Sequence, residues 1–220
     1  MRLSSTCGGE MYNTYLKINE ENIDLLFVNA VVENLKYGII SLDAMFGGEI
    51  TDKFDNDKYT FYFFHMQSVL TAQGNIWNVF YNNYYNYRKI SKARVLKMRE
   101  RLGVDLRNYP LVGNKDFRNT NEHFDDRYFE FKHGIGDYNI IGENTQEWVK
   151  KEILSTPHLR TIDVVNWIYY SYDRNKKPIS MDLRELRSEM YNMLCDICTS
   201  DGMSCCDINN PRNRLLNLEI

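Results

Sequence analysis

Apolar residues recur at helical spacing over the first long segment of the chain. From Asn19 onward they fall at alternating steps of three and four residues, which is typical of one apolar stripe on a helix. Asn19 is a suitable N-cap, and the pair Gly47-Gly48 is expected to end the helix. The residues of the stripe are Leu25, Val28, Val32, Leu35, Ile39 and Leu42.

A second helix is predicted from about Asp57 to Tyr84. Its stripe consists of Phe61, Phe64, Ser68, Ala72 and Ile76, and it is widened by Phe63, Met66, Leu70 and Trp77. A helix that is apolar over so much of its circumference is expected at the centre of the fold. Gln67 and Asn75 interrupt it eight residues apart and therefore share a face. They are interpreted either as a satisfied polar pair or as supporting residues of a site.

Two more helices are predicted in the middle of the chain. The first, from Ile90 to Leu102, ends at Gly103 and places basic side chains on one face, either as a solvated surface or as an anion-facing one. The second, from about Lys115 to Phe131, is called the motif helix below. The basic residues are Arg94, Lys97 and Arg101.

The pattern changes after residue 136. A short strand over 137–141, a short helix over 143–154, strand-forming residues over 161–172 and a polar turn over 173–177 are predicted. A last helix, capped by Ser180, carries the stripe Leu183, Leu186, Met190, Met193 and Leu194. The predicted fold is mainly α: a four-helix core over 19–135 and a small α+β appendage (a short hairpin plus a helix) over 136–220, packed as one compact unit.

Composition places the chain among globular proteins. Of its 220 residues, 43% are hydrophobic and 14% aromatic, which excludes whole-chain disorder. It contains no apolar run long enough for a membrane span and no apolar region typical of a signal peptide, so a cytoplasmic location without membrane contact is expected. The net charge of −3 argues against a uniformly basic nucleic-acid binder.

Four of the five cysteines lie close together near residue 200. Their spacing does not resemble the two separated ligand pairs of a structural zinc site. We therefore expect reduced thiols, with no metal and no cofactor. The four are Cys195, Cys198, Cys205 and Cys206.

The motif helix contains the densest polar cluster. On a helix, Arg118 lies one turn from Glu122, and Asn119, His123 and Arg127 share a face. These residues form either a surface helix with internal ion pairs or a site that combines a guanidinium, an amide, an imidazole and carboxylates.

The run R-N-T-N-E-H over 118–123 resembles the R-x4-6-H signature of HEPN domains, in the form where Asn follows Arg. The longer run R-N-x-x-E-H-F-D-x-R is similar to that of a bacterial HEPN-like family of uncharacterised proteins, as is the upstream run F-F-H-M-Q-S-V-L-T-A-Q-G-N-I. The resemblance covers about residues 20 to 195. One departure is Asp126, where relatives more often carry Glu.

The resemblance implies an up-and-down helical bundle that forms a homodimer through the motif helices, and a metal-independent ribonuclease of toxin or phage-defence type. His123 would transfer protons, Arg118 would hold the phosphate, Asn119 would orient them, and Glu122 would hold Arg118 or carry a second proton. Asp125, Arg127, Gln67 and Asn75 would support the site, and the basic helix would bind RNA.

Alternative functions remain open at this point. A non-catalytic HEPN-like module that binds nucleotide, RNA or a partner protein such as an antitoxin is one, and a purely structural dimer is another. The carboxylates Glu122, Asp125 and Asp126 favour these alternatives because they repel phosphate. A metal-dependent hydrolase built on His123, Asp125 and Glu122 is disfavoured because its spacing matches no zinc signature.

Overall fold

The structure is a computed structural model that describes residues 6–7, 10–11, 20–48, 55–81, 96, 100–114, 116–117, 119, 139–142, 160–173, 175 and 177–200. The helices are α1 (Glu20–Gly47), α2 (Asp55–Tyr81) and α3 (Leu183–Ser200), with a short 3-10 helix at Leu106–Asn108. The strands are β1 (Thr6–Cys7), β2 (Glu10–Met11), β3 (Asn139–Gly142), β4 (Arg160–Asp163), β5 (Ile168–Tyr172) and β6 (Pro178–Asp182).

Helix α1 follows the sequence pattern closely. Its bounds agree with the predicted Asn19 cap and Gly47-Gly48 stop, and Val28, Leu35 and Leu42 are buried as expected. Beyond the helix, a side chain at Gly48 would approach the Phe61 ring to 3.1 Å, so glycine lets the chain pass close to α2.

Helix α2 buries the predicted face in part, and the predicted residues that are buried are Phe63, Met66, Leu70, Ala72 and Ile76. Phe64, placed in the stripe by its spacing, is 65% exposed, whereas Gln73, which the pattern did not single out, is fully buried. A helix with apolar residues around most of its circumference does not define its buried face by period alone. Packing against α1 selects the face, whose buried side chains are Tyr62, Phe63, Met66, Val69, Leu70, Ala72, Gln73, Ile76 and Phe80.

A four-stranded sheet has the order β3-β4-β5-β6, with β3 parallel to β4 and the other pairs antiparallel. The predicted polar turn over 173–177 is confirmed as the β5–β6 connection. The strand-forming stretch 161–172 is a hairpin, β4–β5. The Asp163 carboxylate accepts hydrogen bonds from the backbone amides of Val165 and Asn166 at 3.0 and 2.8 Å and fixes the turn. Trp167 completes it at a φ of 57°, unusual for a non-glycine residue.

Helix α3 begins two residues later than predicted. Ser180 lies in β6, and the cap is Asp182, whose Oδ1 accepts the amides of Arg184 and Glu185 at 2.8 and 3.0 Å. β-sheet pairing of Ser180 with Tyr170 keeps it in the strand. The predicted stripe is confirmed: Leu183, Leu186, Met190, Met193 and Leu194 are all fully buried.

The three described helices and one face of the sheet share a core. Helix α1 packs against both α2 and α3, and Ile162, Tyr169 and Met181 of the sheet join the same cluster. A forked ion pair links α3 to α1 at the edge of this core, with Arg187 Nε 2.6 Å and Nη2 3.2 Å from the two Asp43 oxygens. Residues on both sides of the predicted 135/136 boundary thus contribute to one core, while the domain division itself stays a prediction.

The mainly helical fold with a small sheet is confirmed. The up-and-down four-helix arrangement stays a prediction, because the motif helix is described only at residues 116, 117 and 119, all of them helical. In the parts of the chain that the structure covers, no helix has both the length and the apolar character that crossing a bilayer requires.

Candidate functional site

The described start of the motif helix is anchored in the core. Asn114 Oδ1 accepts the backbone amide of Asp116 at 2.9 Å, as an N-cap side chain does. Phe117 is fully buried, and its ring centroid lies 6.0 Å from that of Tyr169 on β5. Asn119 is the one predicted catalytic residue that the structure describes. It is helical, lies two residues after Phe117 and is half-buried. The polar motif therefore starts from a fixed point against the sheet.

Five predicted site residues of the motif helix fall on parts of the chain that the structure does not describe. They are Arg118, Glu122, His123, Asp125 and Arg127. Their roles stay predictions from the sequence.

The predicted supporting residues Gln67 and Asn75 lie on the outer face of α2. Gln67 accepts a hydrogen bond from Arg160 Nη1 at 3.4 Å, and Asn75 donates to Asn34 Oδ1 on α1 at 3.0 Å. Both side chains are exposed. These contacts link α2 to β4 and to α1. They are the kind of contact expected if Gln67 and Asn75 are hydrogen-bonded structural residues.

The basic helix is described near its end. Leu96 and residues 100–102 are helical, Arg101 is half-buried, and Gly103 ends the helix at a φ of 66° as its position predicts. Leu96 is 45% exposed. Arg94 and Lys97 lie outside the described residues.

Residues 103–114, called the connector below, join the basic helix to the motif helix. Asp105 caps the 3-10 helix by accepting the amide of Arg107 at 2.9 Å. Tyr109 donates its hydroxyl proton to Asp196 on α3, and burial together with the Asp196 carboxylate raises the pKa of Tyr109. The amide of Gly113 donates to the Tyr109 carbonyl at 2.8 Å. The connector is thus an ordered loop bound to α3.

Two polar side chains from different helices hold the backbone of Leu111: Gln73 is fully buried and Glu189 is half-buried. Glu189 Oε2 on α3 accepts the amides of Leu111 and Val112 at 2.8 and 3.1 Å. Gln73 Nε2 on α2 donates to the Leu111 carbonyl. We call Gln73 and Glu189 the connector clamp. Burial raises the pKa of the Glu189 carboxyl despite the two amide donors, which act in the opposite direction.

The connector clamp was missed at the level of sequence, although a signal was present. Gln73 follows Val69 by four residues and Leu70 by three, and it precedes Ile76 by three. Glu189 stands three residues after Leu186. Each is a polar residue at a position where the helical period expects an apolar one. Buried polar side chains are normally hydrogen-bonded, so such interruptions indicate a specific partner.

The cysteine cluster is described at two of its four positions. Cys195 is half-buried and Cys198 is buried. Across the described residues, no group of three or more His, Cys, Asp or Glu side chains is placed to hold a metal ion. Cys205 and Cys206 lie beyond those residues.

The chain matches no protein-family model, no curated protein and no solved structure.

Proposed function

We propose that the protein is a HEPN-like, metal-independent endoribonuclease of toxin or phage-defence type. The observation that carries the proposal is the R-N-x-x-E-H run over 118–123. The helical, half-buried position of Asn119 next to the buried Phe117 supports it, because a catalytic amide acts best from a fixed backbone.

The proposed reaction uses the RNA's own 2′-hydroxyl as nucleophile. The hydroxyl loses its proton and attacks the adjacent phosphorus, the bond to the 5′-oxygen breaks, and that oxygen gains a proton. The products are a 2′,3′-cyclic phosphate and a 5′-hydroxyl. His123 would transfer one proton, since an imidazole titrates near neutrality, and Glu122 or the second protomer's imidazole would transfer the other.

Cations would serve two separate purposes. Arg118 would form a forked pair with the charged phosphate at the reacting centre. Arg94, Lys97 and Arg101 would contact the RNA backbone and offset the net charge of −3. The proposal includes a homodimer through the motif helices, with an antitoxin protein as a further partner.

The deciding experiment incubates labelled RNA with the purified protein in excess EDTA. Cleavage should persist, and the products should carry 5′-hydroxyl and cyclic phosphate ends. His123→Ala should lower the rate by roughly 10²–10⁴-fold, the usual contribution of a positioned acid–base group. Arg118→Ala should cause a loss of similar size.

Matched controls exclude a contaminating nuclease and a general loss of folding. His158→Ala changes a histidine outside the motif, and Arg184→Ala changes an exposed arginine on α3, so both should retain the wild-type rate. Charge removal at Arg94, Lys97 and Arg101 should instead weaken RNA binding and reduce its salt dependence. An unchanged rate in His123→Ala would reject the assignment of the site, and binding without cleavage would support the non-catalytic module.

A further inference from the structure

The connector clamp reaches the motif helix through a short series of contacts. Glu189 holds the Leu111 amide at 2.8 Å, and the Leu111 carbonyl accepts the amide of Asn114 at 3.1 Å. Asn114 in turn caps the helix at Asp116. Asn119 lies three residues beyond Asp116, within one helical turn of it. A displacement of Leu111 would therefore pass directly into the first turn of the motif helix.

The contacts of Glu189 are of the kind that fixes a backbone position. One carboxylate oxygen accepts two consecutive amides, and hydrogen bonds to a charged acceptor are stronger than those between neutral groups. On the opposite side, Gln73 is fully buried and holds the carbonyl of the same residue. Leu111 thus has both backbone polar groups bound by side chains from two different helices.

Glu189 keeps this position despite an unfavourable environment. It is only partly exposed, and Glu185 on the same helix adds a like charge. An apolar residue would fit the α3 stripe better, because Leu186 and Met190 on either side are fully buried. A carboxylate stands at position 189 because it binds two backbone amides of the connector.

We propose that Glu189, together with Gln73, is a positioning residue that sets the first turn of the motif helix through Leu111 and Asn114. Its catalytic consequence rests on the ribonuclease activity proposed above, whereas its structural consequence does not. The proposal therefore has two separate measurements.

The first measurement is backbone amide hydrogen exchange in the full chain. In Glu189→Ala, the amides of Leu111, Val112 and Asn119 should exchange at least about tenfold faster, which corresponds to about 1.4 kcal/mol. Glu189→Gln keeps an oxygen acceptor and should remain close to wild type. Glu185→Ala, one turn away on the exposed face of α3, is the matched control: it removes a like charge from beside Glu189 and should not accelerate exchange at the connector.

Two exchange patterns would overturn the proposal. Acceleration at Leu111 and Val112 with Asn119 unchanged would confine the effect to the connector, and uniform acceleration that includes Leu35 in α1 would mean global destabilisation alone. If Glu189→Ala does not fold, Gln73→Leu removes the opposite half of the connector clamp at similar volume and should give the same local pattern.

The second measurement is the ribonuclease rate, well below the unfolding temperature. Glu189→Ala should lower kcat about tenfold or more with KM unchanged, and Glu189→Gln should restore kcat. A kcat equal to wild type in an active, folded Glu189→Ala protein would overturn the positioning role. An inactive wild-type protein would reject the proposed function, while the exchange data would still decide whether Glu189 positions the helix.

Discussion

His65 lies in an environment that opposes its charged form. It lies on α2 with its ring 4.5 Å from the Phe61 centroid and 5.3 Å from that of Phe64, both in edge-on contact. Nδ1 is buried and has no hydrogen-bond partner among the described residues. Burial lowers the pKa of His65, because the protonated ring is poorly solvated between two aromatic side chains.

A histidine with a lowered folded-state pKa binds its proton more weakly in the folded chain than in the unfolded one. Its contribution to stability is present above the unfolded pKa, about 6.5, and is lost as the pH falls through the folded value. Between pH 7.5 and 5, the free energy of unfolding should therefore fall further in wild type than in His65→Gln, because glutamine does not titrate. Urea midpoints at several pH values measure the difference, and parallel pH profiles for the two proteins would contradict it.

The junction of β6 and α3 shows how one residue ends one element and begins another. Asp182 pairs with Ile168 as the last strand residue, and its carboxylate caps the first turn of α3. The Leu183 amide donates to the Trp167 carbonyl at 2.9 Å, which ties the helix start to the β4–β5 turn. The left-handed conformation of Trp167 is thereby held from two directions, since its ring also packs 4.8 Å from Phe46.

Removal of the Asp182 cap should cost about 1 kcal/mol of unfolding free energy in Asp182→Ala, within the usual range for cap residues. Asp182→Asn keeps an oxygen acceptor and should cost less. Ser180→Ala is the natural control, because Ser180 is an exposed strand residue and its change should stay within about 0.5 kcal/mol. Chemical denaturation of the three variants would decide whether Asp182 or Ser180 caps α3. A larger loss of unfolding free energy in Ser180→Ala than in Asp182→Ala would assign the cap to Ser180.

At the scale of the elements, the sequence predicts whether a helix or a strand forms better than it predicts which face of that element is buried. The stripes of α1 and α3 occupy one narrow face, so Leu35, Leu42 and Leu186 were correctly expected in the core. Phe64 was expected in the core but is exposed, because α2 is apolar on several faces and the elements that pack against it decide which face is buried. Glu189 and Gln73 were missed for a related reason: their hydrogen-bond partners are backbone groups of the distant Leu111, which no local pattern reveals. Nothing in the described structure tests His123 or Arg118.

At the scale of the whole molecule, α3 completes a core that begins more than 140 residues earlier. Met190 lies against Gly38 so closely that a β-carbon at that glycine would be 2.6 Å from its sulfur. The α1–α2 pair alone would leave the buried face of α1 that α3 covers in contact with water. Deletion of a buried Leu or Met side chain costs about 2–5 kcal/mol, so the loss of five from one stripe is as large as the whole stability of an ordinary domain, about 5–15 kcal/mol.

A chain that stops after Asp182 should therefore show no cooperative unfolding transition by circular dichroism or calorimetry. A chain that stops after Ser200 keeps every described core residue and should retain a sharp transition. Cooperative unfolding of the shorter chain, at a midpoint near that of the longer one, would show that α1, α2 and the sheet are sufficient.

Because α3 lies late in the sequence, most of the chain must be synthesised before α3 can pack against α1. Helices α1 and α2 can pack against each other once they have left the exit tunnel of the ribosome, but the face of α1 that α3 covers stays exposed while more than a hundred further residues are synthesised. Contacts between residues so distant in sequence form slowly, because a long loop must close first. During that interval the uncovered apolar segments are the kind of surface that chaperones bind. We expect complete folding only after α3 has been synthesised, because a shorter product lacks the Glu189 and Asp196 contacts that hold the connector.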